Sequence, residues 1–149
     1  MRRLLYFAML FLFLGACAHG EKAVVSKGLT GIKTVYLWDA DGHTDLTLLR
    51  GLKAAASKEL RAKGILVSEN PSATDAYVKI TVVDANRDDA TETTFVNARL
   101  YVINAADNSV LYDKTAETSA KGAKEEAPPY PVDAEVRELL SEYPAAGGK

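Results

Sequence analysis

Ala76-Tyr77-Val78-Lys79-Ile80-Thr81-Val82-Val83-Asp84 is the stretch that decides the fold. Ala76, Val78, Ile80 and Val82 fall on one side of an extended chain, and Tyr77, Lys79 and Thr81 fall on the other. Successive side chains of a strand point to opposite faces, so this alternation predicts a strand with one apolar and one polar face. A sheet built from such strands must cover its apolar face with a second layer.

Working outward, polar Asp84-Ala85-Asn86-Arg87-Asp88-Asp89 reads as a loop. Thr93 to Ile103 reads as a second alternating strand, with Val96, Ala98, Leu100 and Val102 inward and Asn97 and Arg99 outward. Ala106-Asp107-Asn108-Ser109 has the residues of a hairpin turn, and Val110 to Thr118 returns as the last strand. Upstream, Thr34 to Trp38 is β-branched and aromatic, and Ile65 to Glu69 is a short strand stopped by Asn70-Pro71-Ser72.

Two helices supply the covering layer. Between Thr44 and Lys63, Leu46, Leu49, Leu52, Ala56 and Leu60 recur at three- and four-residue steps. Thr44 or Asp45 is the N-cap, and Gly64 stands where a left-handed residue ends a helix, followed by apolar Ile65. After a charged, Pro-containing connector from Lys121 to Pro131, a second stripe forms from Val132, Val136, Leu139, Leu140 and Tyr143 and stops at Pro144. The expected class is α+β: a single mixed, mostly antiparallel sheet with two helices on one face. The order is strand, helix, four strands, helix. Leu49, Leu52, Leu60, Val136, Leu140, Val78, Ile80, Leu100 and Val102 are the expected core.

The N-terminus carries a different message. Arg2 and Arg3 precede an apolar run from Leu4 to Leu14, which leads through Gly15 and Ala16 to Cys17, the one cysteine of the chain. The run is too short to span a bilayer, which needs about 20 apolar residues. Leu14-Gly15-Ala16-Cys17 resembles the lipobox of the bacterial lipoprotein signal. That resemblance implies that Cys17 receives a diacylglyceryl group on sulfur, that the peptide is cut before it, and that the new amine is acylated. The bilayer is then one partner. Ala18, in place of an Asp, implies the outer membrane facing the periplasm rather than the inner membrane. The expected division is a signal over 1–16, a flexible leash over 17–33, a domain over 34–144 and a frayed tail over 145–149.

With 149 residues, 48% hydrophobic and 26% charged, the chain has ordinary globular composition for one core. A net charge of −2 without a Lys/Arg cluster argues against nucleic acid. Acylation of Cys17 would leave no thiol for a disulfide, a metal or catalysis.

Chemistry-bearing patterns are sparse. Asp39, Asp41, His43 and Asp45 alternate in Asp39-Ala40-Asp41-Gly42-His43-Thr44-Asp45 and could converge on a cation. Arg50 stands where a calcium loop needs a bidentate Glu, so a capped strand-to-helix loop is the preferred reading. Asp84, Asn86, Asp88 and Asp89 form a second acidic group with Phe95 at its twelfth position, preferred as a solvated loop. His19 and His43 have no nucleophile spaced beside them in a known motif, so catalysis and a cofactor are not expected. Tyr77, Tyr101 and Tyr112, with Tyr36 and Trp38, lie on neighbouring strands; they could share the helix-free face as an interface patch, and covering core edges is the preferred reading.

The element order behind a lipobox resembles small periplasmic lipoprotein domains: the curli-secretion type, activators of penicillin-binding proteins, and families of unknown function. The matching stretches are Leu60-Arg61-Ala62-Lys63-Gly64-Ile65, Ala73-Thr74-Asp75-Ala76-Tyr77-Val78 and Leu139-Leu140-Ser141-Glu142-Tyr143-Pro144. The expected role is a non-catalytic envelope module that binds a periplasmic protein partner, with self-association an open option. A transport auxiliary holding a small apolar or lipid ligand is the alternative, and a Ca²⁺-dependent module built on Asp39 to Asp45 is a third.

Overall fold

The computed structural model describes residues 17–122 and 127–147, so the expected signal over 1–16 lies outside the described residues. Seven strands form one mixed sheet: β1 (Cys17–Gly20), β2 (Val24–Val25), β3 (Thr34–Leu37), β4 (Leu66–Ser68), β5 (Ala76–Asp88), β6 (Thr93–Asn104) and β7 (Val110–Lys121). The spatial order is β1-β7-β6-β5-β3-β4, and β2 shares the β7 edge with β1. β5, β6 and β7 are antiparallel, and β3 runs parallel to β4 and β5. With α1 (Leu46–Ala62) and α2 (Val132–Leu139), this is the expected α+β architecture.

One face of the sheet is the core. Val78, Ile80 and Val82 of β5, Val96, Ala98, Leu100 and Val102 of β6, and Tyr112 and Ala116 of β7 are buried, as alternation requires. Leu52, Leu60, Val136 and Leu140 cover them and are themselves buried. Tyr112 aims its hydroxyl into this layer and donates to the Leu139 carbonyl at 2.7 Å.

The helix ends follow from their capping residues. Asp45 Oδ1 accepts from the Thr47 and Leu48 amides at 2.8 and 3.2 Å. At the other end Gly64 has φ +80°, its amide donates to Arg61, and the Ile65 amide donates to Leu60. Those two bonds are the Schellman pattern, for which a residue with a Cβ is strained.

Four expectations need correction. The buried stripe of α1 is Leu48, Leu52, Ala55, Ala56 and Leu60, with Leu49 only half-buried and Leu46 61% exposed. The Asp45 cap sets the phase, leaving Leu46 in the first turn on the solvent side. β5 runs on through Asp88 instead of turning at Asp84, because Asp84 to Asp88 pair with Thr93 to Asn97. A bulge at Val83 resets the alternation, which is why the sequence reads as broken there. β7 likewise continues to Lys121.

The fourth correction concerns residues 17–33, expected as a leash. Cys17 to Gly20 pair with Ala116 to Ser119, and Val24 and Val25 pair with Asp113 and Tyr112. A 3-10 turn over Lys27–Gly31 then buries Leu29 and leads to buried Ile32. The segment finds its partner because β7 would otherwise present an unpaired edge. Asp75 closes this end of the fold, its Oδ2 accepting from the Lys33 and Thr34 amides at 3.0 and 2.9 Å. In the expected tail, the Ala146 amide donates to Lys63, and residues 148–149 lie outside the described residues.

Candidate interaction surface

Cys17 is exposed and is the first residue of β1, laddered opposite Ser119. The acylation point named by the lipobox resemblance is thus fixed to a corner of the sheet. Among the described residues no helix is long and apolar enough to cross a membrane.

The helix-free face begins beside that corner. Tyr36, Trp38, Tyr77 and Tyr101 all lie on it, because each alternates with buried Val35, Leu37, Val78 and Leu100. Trp38 and Tyr77 meet with ring centroids 5.7 Å apart, and Trp38 is 43% exposed. Arg99 lies 4.6 Å over the Tyr101 ring and forks onto Asp113, with Nε–Oδ1 at 2.8 Å and Nη2–Oδ2 at 2.6 Å. This bidentate pair holds the guanidinium protonated far above any working pH. Tyr112 does not join them, since its register opposite Val102 turns it into the core. Burial there raises its phenol well above the usual range.

The structure does not gather Asp39, Asp41, His43 and Asp45. Asp39 Oδ1 pairs with Lys53 Nζ at 2.5 Å, and that hydrogen bond lowers its carboxyl below the usual range. Asp41 Oδ2 pairs with Lys79 at 2.8 Å on the open face. His43 Nδ1 accepts from the Asp45 amide at 3.0 Å while its ring stands edge-on to Tyr130. Asp45 is the helix cap. Asp88 caps its own turn through Ala90 and Thr91, and Asp89 accepts from the Ala127 amide at 3.1 Å. Among the described residues, no three His, Cys, Asp or Glu side chains converge.

Two buried ionisable groups were not anticipated from the sequence. Lys114, 3% exposed, reaches Glu138 Oε1 at 3.1 Å, Ser141 Oγ at 2.6 Å and Glu142 Oε1 at 3.2 Å. Glu142 also accepts from the Ala23 amide at 3.0 Å, so this cluster ties β7, the turn after α2 and the N-terminal segment together. Glu135, fully buried on α2, accepts the Ala98 amide at 2.9 Å where the β5 bulge interrupts the ladder. Its Oε2 lies buried beside Thr118. Burial pushes the Glu135 carboxyl up to about 8, so it is neutral at pH 7. The period of α2 places residue 135 next to the apolar stripe, which is the one signal in the sequence for this burial.

No protein-family model and no curated protein matches the sequence. The fold is shared with solved structures. PelC from Paraburkholderia phytofirmans, a dodecamer, superposes with a TM-score of 0.66 at 14% identity, over 90% of this chain and all of that one. Lipoprotein GNA1162 from Neisseria meningitidis gives 0.51 at 14% identity, over 61% and 85%. A DUF4136 family protein from Bacteroides thetaiotaomicron gives 0.56 at 9% identity, over 85% and 95%. This is a fold that lipoproteins use.

Proposed function

We propose that this chain is a non-catalytic envelope lipoprotein, anchored in a membrane by acylated Cys17 and acting as a self-associating assembly module. The observation that carries the reading is the position of Cys17 in β1. Acyl chains on that residue would hold the sheet itself against the bilayer, which suits a scaffold better than a tethered enzyme. Three acyl chains, each CH₂ worth about 0.8 kcal/mol when buried, would make the anchoring permanent. The fold likeness to PelC, a dodecamer, supports self-association, and the likeness to GNA1162 supports the anchor.

The packed inner face supports the assembly reading over a transport auxiliary. Val78, Leu52, Leu100 and Val102 are 0% exposed, and the exposed aromatics lie outside on the open face. Ala18 leans the proposal towards the outer membrane. The test is Cys17→Ala in the full chain, followed by membrane fractionation and metabolic lipid labelling. The variant should lose both the label and the membrane fraction; if it keeps both, the anchor reading fails. A wild-type protein that sediments as a monomer in mild detergent would remove the self-association part.

A further inference from the structure

The carboxyl end of β3 is a switch point of the sheet. The chain leaves it through α1 for β4 on one side, while β5, its parallel neighbour on the other side, turns to β6. Ligand crevices of open sheets form where neighbouring parallel strands part in this way. A cavity of about 350 Å³ opens here, lined by Tyr36, Trp38, Asp39, Asp41 and Lys79. Its size falls within the range of small-molecule sites. Trp38 is exposed, tilts against Tyr77 and has Lys79 Nζ 6.0 Å from its ring centroid. Tyr101 stands directly opposite Lys79 across the β5–β6 ladder. The aromatic rings therefore continue from β3 over two strand spacings, about 10 Å.

The charges around these rings are already matched. Asp39 pairs with Lys53, Asp41 with Lys79, and Asp113 with Arg99. An ionic ligand would have to break one of these pairs to make its own. A dry protein surface laid over the rings would strip water from all three, and the cores of protein interfaces are depleted in charge. An uncharged polyhydroxylated ring meets neither objection. Its slightly positive C–H faces lie against electron-rich aromatic faces, and its hydroxyls both donate to carboxylates and accept from an ammonium, as water does. We infer that the cavity at the end of β3 binds a neutral carbohydrate, with Trp38 and Tyr36 as the stacking surface and Asp41 and Lys79 as its hydrogen-bonding groups. A free oligosaccharide, a glycan strand of the cell wall and a glycolipid headgroup share this chemistry. The inference goes beyond the anchoring and self-association readings and depends on neither.

Trp38 is the only tryptophan of the chain, so its emission reports this cavity directly. Full-length chain in a detergent without a sugar headgroup is titrated with hexamers of β-linked glucose, α-linked glucose and N-acetylglucosamine. At least one should quench or blue-shift the emission in a saturable way. Hexamers of glucosamine, which is cationic, and of galacturonate, which is anionic, should bind more weakly by about tenfold or more. In calorimetry, Trp38→Ala should lose the binding and Tyr36→Ala weaken it about tenfold, both with wild-type circular dichroism. Co-sedimentation with purified cell-wall glycan, and with vesicles carrying a neutral glycolipid, tells the sources apart, each measured against Trp38→Ala as background. No response of Trp38 to any neutral hexamer, tighter binding of a charged one, or binding retained in Trp38→Ala would overturn the inference.

Discussion

Glu135→Gln should stabilise the protein at neutral pH and remove part of its pH dependence. Glutamine has the shape of a protonated glutamic acid, so its Oε1 can keep the Ala98 amide bond without bringing a charge inside. The wild-type carboxyl titrates at about 8 in the fold and at 4.5 in the open chain. An acid whose pKa is raised by folding contributes fully below its unfolded pKa, and that contribution is lost as pH rises towards the folded value. Each unit of pH in that window removes about 1.4 kcal/mol, so about 3 kcal/mol has gone by pH 7. The negative charges of Glu117 and Glu138 push the same way. Urea unfolding of wild type and variant should therefore coincide near pH 4.5 and diverge by pH 7, with the variant's midpoint higher by roughly 1–3 M at unchanged slope. Glu135→Leu should be less stable than Glu135→Gln at every pH by about 1–3 kcal/mol, because the buried Ala98 amide loses its acceptor. Parallel pH profiles for wild type and Glu135→Gln would refute the assignment of a buried neutral carboxyl.

Leu52→Ala should cost about 2–5 kcal/mol through the cavity it leaves, whereas Leu46→Ala should stay within about 0.5 kcal/mol; equal effects in denaturant melts would contradict the helix phase. Gly42→Ala should lower the melting temperature sharply, since Gly42 has φ +87° and a Cβ there would lie 2.2 Å from the Val82 carbonyl oxygen. Calorimetric titration with Ca²⁺, Zn²⁺ and Mg²⁺ should show no saturable binding, and EDTA should leave the melting temperature unchanged. A several-degree fall on chelation, absent in Asp41→Asn, would restore the Asp39–Asp45 loop as a site.

The parts legible in the sequence are those governed by short-range rules. Alternation identified β5 and β6, and Gly64 with Ile65 marked the end of α1. The missing parts depend on partners far along the chain. Val83 hid the continuation of β5, because a bulge breaks alternation without breaking the strand. Cys17 to Val25 has a weak strand pattern of its own and becomes ordered only through the edge of β7, nearly a hundred residues away. Glu135 and Lys114 look like surface charges until the helix and the sheet close over them. Covering core edges is the preferred reading of the aromatics from sequence, yet Tyr36, Trp38, Tyr77 and Tyr101 take the helix-free face, and Tyr112 leaves it because the register shift between Val102 and Ile103 alters which side it meets.

With Cys17 acylated as proposed, the pairing of β1 with β7 would also limit where the domain can act. A flexible leash of some fifteen residues would let a domain wander on the order of 20 Å above its lipid and sample partners at many heights. With Cys17 acylated and already in the ladder, that wandering disappears, and what remains is lateral diffusion at a fixed height and tilt. Encounters would then occur in a thin layer next to the bilayer, where local concentration is high and each meeting is pre-oriented. A partner rooted in the same leaflet would be favoured, and one whose binding surface stands far from the membrane would be out of reach.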